Sequence, residues 1–168
     1  MKTTKLTRRL LGSAVVLAIG WLFFGCEYEV PITEQPTRKI DEKLVGDWVI
    51  KDGEKEEVMK VARLDDSTYV VFYDDRLYRA YHSDVGKTQL VSVQTIDSEE
   101  RKYSYIAWKL SPDGKSLSLQ IVNDEIIPDA TKDSATVRDL LQKNLQNPKL
   151  YKPEAKFNRA KEKVLKMQ

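Results

Sequence analysis

The chain has 168 residues, with 28 lysines and arginines, 26 aspartates and glutamates, and a formal net charge of +2. Four of the basic residues and none of the acidic ones precede Cys26, so the chain from Cys26 onward is net −2 and the basic balance belongs to the N-terminus. A remainder of about 140 residues suits one domain with a modest core, and the single cysteine excludes an intramolecular disulfide.

Lys2, Lys5, Arg8 and Arg9 stand before an apolar run from Leu10 to Phe24, interrupted by Gly12, Ser13 and Gly20. A basic start followed by such a run is the pattern of an export signal, because the charges stay cytoplasmic while the apolar segment enters the bilayer. At roughly 15 residues the run is shorter than the ~20 that span a membrane permanently. It ends at Leu22-Phe23-Phe24-Gly25-Cys26 and resembles the signal peptide of bacterial lipoproteins, where Gly or Ala directly precedes the modified cysteine. Phe23 stands where that family usually has leucine. The resemblance implies that residues 1–25 are a signal peptide and that the Cys26 thiol carries a diacylglycerol. A further acyl chain such as palmitate would join its amine, holding the protein to a membrane of the cell envelope on the periplasmic side. Glu27, rather than an aspartate, after the cysteine implies the outer membrane. Thr7-Arg8-Arg9-Leu10-Leu11 also resembles a twin-arginine signal, a second export route. The competing account of Cys26 is a free thiol beside a simple secretory signal.

Residues 26–40 read as the lipidated N-terminus and an extended tether, since Pro31 and Pro36 lie among Thr, Glu and Gln with little to bury. At about 3.1 Å per residue the tether would hold the domain roughly 30–40 Å from the lipid.

Residues 41–127 read as an antiparallel β domain. Short runs rich in Val, Ile, Tyr and Thr predict strands over 47–51, 57–64, 68–73, 77–82, 89–96, 102–110 and 116–122. Between them stand Asp52-Gly53, Asp65-Asp66, Asp74-Asp75, Asp84-Val85-Gly86 and Ser111-Pro112-Asp113-Gly114. Connections this short predict antiparallel neighbours in up-and-down order. Leu117, Leu119 and Ile121 alternate with Ser116, Ser118 and Gln120, so one face is core and the other wet. The expected fold is mainly β, an up-and-down barrel or half-barrel of about 7–8 strands, with a C-terminal α-helix on or beside it. An eighth strand would come from 124–127 or from Leu150-Tyr151. Gly46 and Trp48 resemble the Gly-x-Trp that opens the first strand of lipocalin-type barrels. That resemblance implies that Trp48 plugs the closed end and that Gly46 lets the chain turn tightly beneath it.

Residues 128–168 read as a helical segment. Asp133 or Ser134 can cap a helix carrying Val137, Leu140, Leu141 and Leu145, which Asn147-Pro148 then ends. A last helix is expected over 153–167, with Pro153 in its first turn and Phe157, Ala160, Val164 and Met167 as its apolar stripe. Lys152, Lys156, Arg159, Lys163 and Lys166 would then form one basic stripe, suited to anionic headgroups or an acidic partner.

Chemistry is sparse. His82 is the one histidine, and with Cys26 expected to be acylated a zinc cage lacks ligands. His82-Ser83-Asp84 holds the residue types of a hydrolytic triad, but contiguous residues cannot orient one another as a triad requires. Asp65-Asp66, Asp74-Asp75 and Glu99-Glu100 fall in turns, where carboxylates stay solvated and ionised. No catalytic residue, metal or cofactor is expected, and nucleic acid is not an expected partner. Tyr69, Tyr73, Tyr78, Tyr81, Tyr103 and Tyr105, with Trp108, are the candidates for lining a small apolar ligand or presenting a face to an envelope protein. Cross-strand packing is the plainer alternative. The expected function is a non-enzymatic binding module. The alternative is a structural component of an envelope assembly, docking through the basic C-terminal helix.

Overall fold

The structure, a computed structural model, describes residues 28–53 and 55–161. The export signal and Cys26 lie outside the described residues. Eight strands close an antiparallel barrel in sequence order: β1 (Gly46–Asp52), β2 (Lys55–Arg63), β3 (Thr68–Tyr73), β4 (Arg76–His82), β5 (Val91–Thr95), β6 (Tyr103–Leu110), β7 (Ser116–Ile121) and β8 (Ala155–Arg159). A 3₁₀ turn, η1 (Glu42–Leu44), precedes β1, and one α-helix, α1 (Ser134–Asn144), lies between β7 and β8. The β3–β4 connection is two residues, Asp74 and Asp75, both at positive φ (51° and 56°). Such a turn matches the right-handed twist of the strands it joins.

The barrel is closed, not half-open, and its eighth strand comes from neither expected segment. Leu150-Tyr151 contributes an isolated bridge, Val122 to Tyr151. The closing strand is instead β8, in the segment expected to be a last helix. Ala155 and Phe157 are buried while Lys156 and Asn158 are exposed, the period of two that a strand requires. β8 pairs with β7 (Leu117 to Phe157) and with β1 (Trp48 to Arg159), so the hydrogen bonds of two otherwise open edges overrule a local helical spacing. The expected basic stripe is dispersed with the helix. Lys156 points outward and Arg159 inward, and Lys163 and Lys166 lie outside the described residues.

Residues paired directly across antiparallel strands share a face. The register therefore sends Trp48, Met59, Val61, Val71, Tyr78, Val93, Ile106, Leu119 and Phe157 into one interior. All of these are 7% exposed or less. Trp48 closes the η1 end: its Nε1–H donates to the Leu44 carbonyl (2.9 Å), and the Arg159 guanidinium lies 4.2 Å from its ring centre. Arg159 also donates to the carbonyls of Val45 and Gly114, each at 3.0 Å, and to that of Lys43. Gly46 stands at φ +135°, and a Cβ there would lie 2.7 Å from Arg159 Nη1, so its lack of a side chain is required twice over.

The expected tether is part of the fold. Tyr28 exchanges both backbone hydrogen bonds with Tyr103 (2.8 Å each) and stacks on Tyr105, ring centres 3.9 Å apart. From there the chain crosses the outside of the barrel. Tyr105 donates to the Val30 carbonyl (2.7 Å), Ile32 N–H to Ser92 Oγ (3.0 Å), Tyr81 to the Thr33 carbonyl (2.9 Å) and Thr37 N–H to the His82 carbonyl (2.8 Å). Tyr28 and Ile32 have no exposure. The prolines suggested an extended spacer, and the segment is indeed non-helical, but Tyr28, Val30 and Ile32 give it an apolar edge that the sheet's outer face receives. Helix α1 packs outside this segment. Asp133 caps it by accepting Thr136 N–H (2.7 Å), Ser134 Oγ donates to the Pro31 carbonyl (2.7 Å), and Val137 and Leu141 are buried.

Candidate functional site at the η1 mouth of the barrel

The seven nominated aromatics do not form one surface. Tyr69, Tyr73, Tyr78 and Trp108 point into the barrel, while Tyr81, Tyr103 and Tyr105 point outward beneath residues 28–40. All but the half-buried Tyr103 are 7% exposed or less, so no open tyrosine-rich face exists among them. The interior they were expected to line is occupied by their own rings, with Tyr69 edge-on to Trp108 (5.2 Å) and Tyr73 edge-on to Phe157 (5.8 Å). Tyr73 also donates to the Glu57 carboxylate. Burial raises the hydroxyl pKa of Tyr69 and Tyr81 to about 12 and that of Tyr73 and Tyr105 further, so none of them ionises at neutral pH.

Of these residues Trp108 alone touches a hollow of note. The β5–β6 pairing ends at Val91 to Ile106, whereas β6 continues to Leu110 paired only to β7. Past Ile106 the wall therefore opens into a seam between β6 and the residues leading into β5. A small pocket of about 100 Å³ lies there, lined by Arg38, Asp41, Leu44, His82, Gln89, Trp108 and Leu110. Asp41, Gln89, Trp108 and Leu110 also line an outer cleft of about 740 Å³, which continues over Lys43, Lys109 and Gln120.

Three rings form the inner wall of the pocket. His82 is edge-on to Trp108 (5.7 Å) and to Tyr69 (5.8 Å). Tyr69 Oη accepts the Asp41 backbone N–H (2.5 Å) and lies 3.1 Å from His82 Nε2. The oxygen keeps a second lone pair, so the hydrogen shared with Nε2 can belong to either partner, according to the imidazole tautomer. Burial holds the His82 pKa below its ordinary 6.5, helped by the Arg38 guanidinium and opposed by Asp84 and Asp41, so the neutral ring is the resident form at pH 7. His82 Nδ1 and Trp108 Nε1 are both buried without a hydrogen-bond partner.

This linkage sets a pH dependence. With the folded-state value below the unfolded one, the stabilising contribution of neutral His82 is complete above pH 6.5 and is lost as pH falls through the lowered value. The urea midpoint of the wild-type protein should fall more between pH 7.5 and 5 than that of His82→Gln. Parallel slopes for the two would remove the histidine from the account.

Sequence reasoning singled out Trp108 and, as an ordinary strand-end residue, His82. It missed Arg38 from the presumed tether, Asp41, which caps η1, Leu44 of η1, and Gln89 from the loop that leads into β5. Neighbouring positions explain why His82-Ser83-Asp84 assembles no triad: His82 faces the interior, whereas Ser83 Oγ lies outside, bonded to Thr33 Oγ1 (2.8 Å) and Ser92 Oγ (2.9 Å). Among the described residues no group of three His, Cys, Asp or Glu side chains could hold a metal ion. No protein-family model matches the chain, and no curated protein or solved structure is significantly similar to it.

Proposed function

We propose that the protein is an exported lipoprotein, acylated at Cys26 and facing the periplasm from the outer membrane, whose lipocalin-like barrel is a non-enzymatic binding module for a small molecule. The anchor reading is supported by the basic start, the apolar run and Gly25-Cys26. The binding reading is carried by one observation: in a barrel otherwise packed with its own aromatics, the wall opens at a seam onto a pocket lined by the buried rings of His82 and Trp108 and by the exposed polar side chains of Arg38, Asp41 and Gln89. The lipocalin likeness is supported by Gly46 and Trp48 at the closed end of an up-and-down barrel.

In sequence Cys26 stands two residues before Tyr28, which is hydrogen-bonded to β6, so few residues separate the proposed anchor from the barrel. The domain would then sit on the membrane rather than at the end of a tether. Cys26→Ser is expected to release the protein from detergent-extractable membranes or to leave the precursor uncleaved. An unchanged mature mass and fractionation would sink the anchor. Native mass spectrometry of the full chain in detergent tests the binding module, which requires a co-purifying small molecule; an unliganded mass throughout, with nothing in the organic or aqueous extract, overturns it.

A second reading, an envelope protein as partner, is favoured by the outer face of β2 to β4. Val58, Phe72 and Leu77 there are 37–41% exposed. Crosslinking in intact cells through residues placed beside Phe72 would decide it.

A further inference from the structure

At the seam β6 has an edge that its neighbour does not cover. The backbone groups of successive strand residues point to opposite sides. The Lys102 carbonyl accepts from Thr95 N–H on the β5 side (3.1 Å), and the Tyr105 carbonyl accepts from Val122 N–H on the β7 side (2.8 Å). Trp108 and Leu110, at even spacing from Lys102, therefore aim their N–H and C=O groups toward β5, whereas Ala107 and Lys109 aim theirs at β7. The β5 pairing, however, stops at Val91 to Ile106. Ahead of β5 the chain pairs with itself instead: Val85 and Thr88 exchange backbone hydrogen bonds (3.1 and 3.0 Å), and the Leu90 carbonyl accepts Ser83 N–H (2.8 Å). Among the described residues, Trp108 and Leu110 have no backbone hydrogen-bond partner on the β5 side. The pocket of about 100 Å³ lies beside them, with Gln89, from the chain that leads into β5, also on its lining. Unpaired groups along a strand are a template for another extended chain, and strand addition is a general mode of peptide recognition.

We infer that the seam binds a short extended peptide, which pairs antiparallel with Trp108 and Leu110 as an added strand. The inference rests on the binding-module reading and names the ligand class. The added residues take the places opposite Trp108 and Leu110 that a longer β5 would fill, and each exchanges an N–H and a C=O with its partner. Residues paired directly across share a face. Those two side chains therefore turn inward with Trp108 and Leu110, toward a pocket that holds only small ones. The residue between them faces out beside the exposed Lys109, and the rest of the peptide lies along the outer cleft of about 740 Å³, over Ala107, Ser118 and Gln120. On that lining Lys43 and Lys109 are offset by Asp41 and Glu154, so no charge of one sign is demanded of the ligand. Backbone pairing supplies the contacts instead.

The test uses the ¹⁵N-labelled full chain in detergent. Before any ligand is added, the half-exposed Leu110 amide should exchange with solvent at least tenfold faster than those of Ala107 and Lys109, which β7 holds. Ac-Ala-Thr-Ala-NH2 is expected to move the Trp108 and Leu110 amide resonances downfield and to slow Leu110 exchange at saturation. Its counterpart with lactate in place of both alanines keeps the methyl groups but lacks two N–H donors, and it should bind at least tenfold more weakly. Leu110→Pro deletes one seam-facing donor and no bond to β7, a change that strand edges tolerate. It should weaken the peptide as strongly, read on the Trp108 amide. The ester comparison uses the wild-type chain, so it decides even where the proline variant does not fold. Leu110 exchange as slow as that of Ala107, amide shifts absent or confined to other strands, or equal binding of the ester overturns the added strand. A native companion without peptide bonds defeats this inference while the binding module stands. Tripeptide binding at β6 without any native companion does the reverse.

Discussion

Trp48→Ala is expected to lower unfolding free energy by about 3–5 kcal/mol, a large part of the stability available to a domain of this size. The side chain has no exposure and is among the largest fully buried ones. Its removal opens a cavity where the barrel closes, strands the Leu44 carbonyl that its Nε1–H satisfies, and takes away the ring beneath the Arg159 guanidinium. Arg159 then loses one restraint on the contacts that fasten β8 to Lys43, Val45 and Gly114. Because β8 is the strand that joins both edges of the sheet, the loss should also speed exchange of the β8 amides. Trp48→Phe, which keeps most of the buried area and removes the donor, should cost less, about 1–3 kcal/mol. Urea unfolding measures both. A loss below about 1 kcal/mol for the alanine variant would mean that the closed end is not held by this ring.

Tyr28→Ala should cost about 3 kcal/mol or more, near the range for large aromatics removed from a core. It deletes the ring stacked on Tyr105 and the hydroxyl that donates to the Ile127 carbonyl (2.9 Å). Tyr28→Phe removes the hydroxyl alone and should cost about 1 kcal/mol. A surface spacer would behave differently, with a change within about 0.5 kcal/mol. The measurement thus separates a structural N-terminal segment from a tether. Hydrogen exchange at Ile32 and Tyr103, whose N–H groups bond across this junction, should rise in the alanine variant and not in the phenylalanine one. Unchanged protection at both would refute the packed arrangement.

Much of the barrel was legible because its strands alternate without ambiguity. Leu117, Leu119 and Ile121 are buried and Ser116, Ser118 and Gln120 are not, as their period of two requires. Asp133 declares the helix start by the same local logic, since a side-chain oxygen there meets an N–H that the helix itself cannot satisfy. Residues 153–160 misled because Phe157 and Ala160 share a helical spacing while Ala155, Phe157 and Arg159 share a strand spacing. Sequence periodicity cannot arbitrate between two short patterns, but two unpaired sheet edges can.

The site was less legible than the fold. Trp108 carried a signal as an aromatic among tyrosines, yet nothing in the chain distinguishes its unpartnered N–H from the satisfied one of Trp48. That difference depends on where the β5–β6 register ends and on Arg38, Asp41 and Leu44 arriving from earlier in the chain.

By itself the sequence determined the local alternatives: which segments can be strands, where α1 begins, which residues are apolar, and the signal-like run that ends at Cys26. Those follow from spacing, capping and charge, which act over a few residues. Only the tertiary structure decided that the sheet closes through β8, that residues 28–40 cover its outer face, and that the tyrosines divide between inside and outside. Each of these depends on pairing and burial between residues far apart in sequence, where the free energy comes from completing a partner's hydrogen bonds or excluding water from its surface, and no local pattern encodes which partner is present.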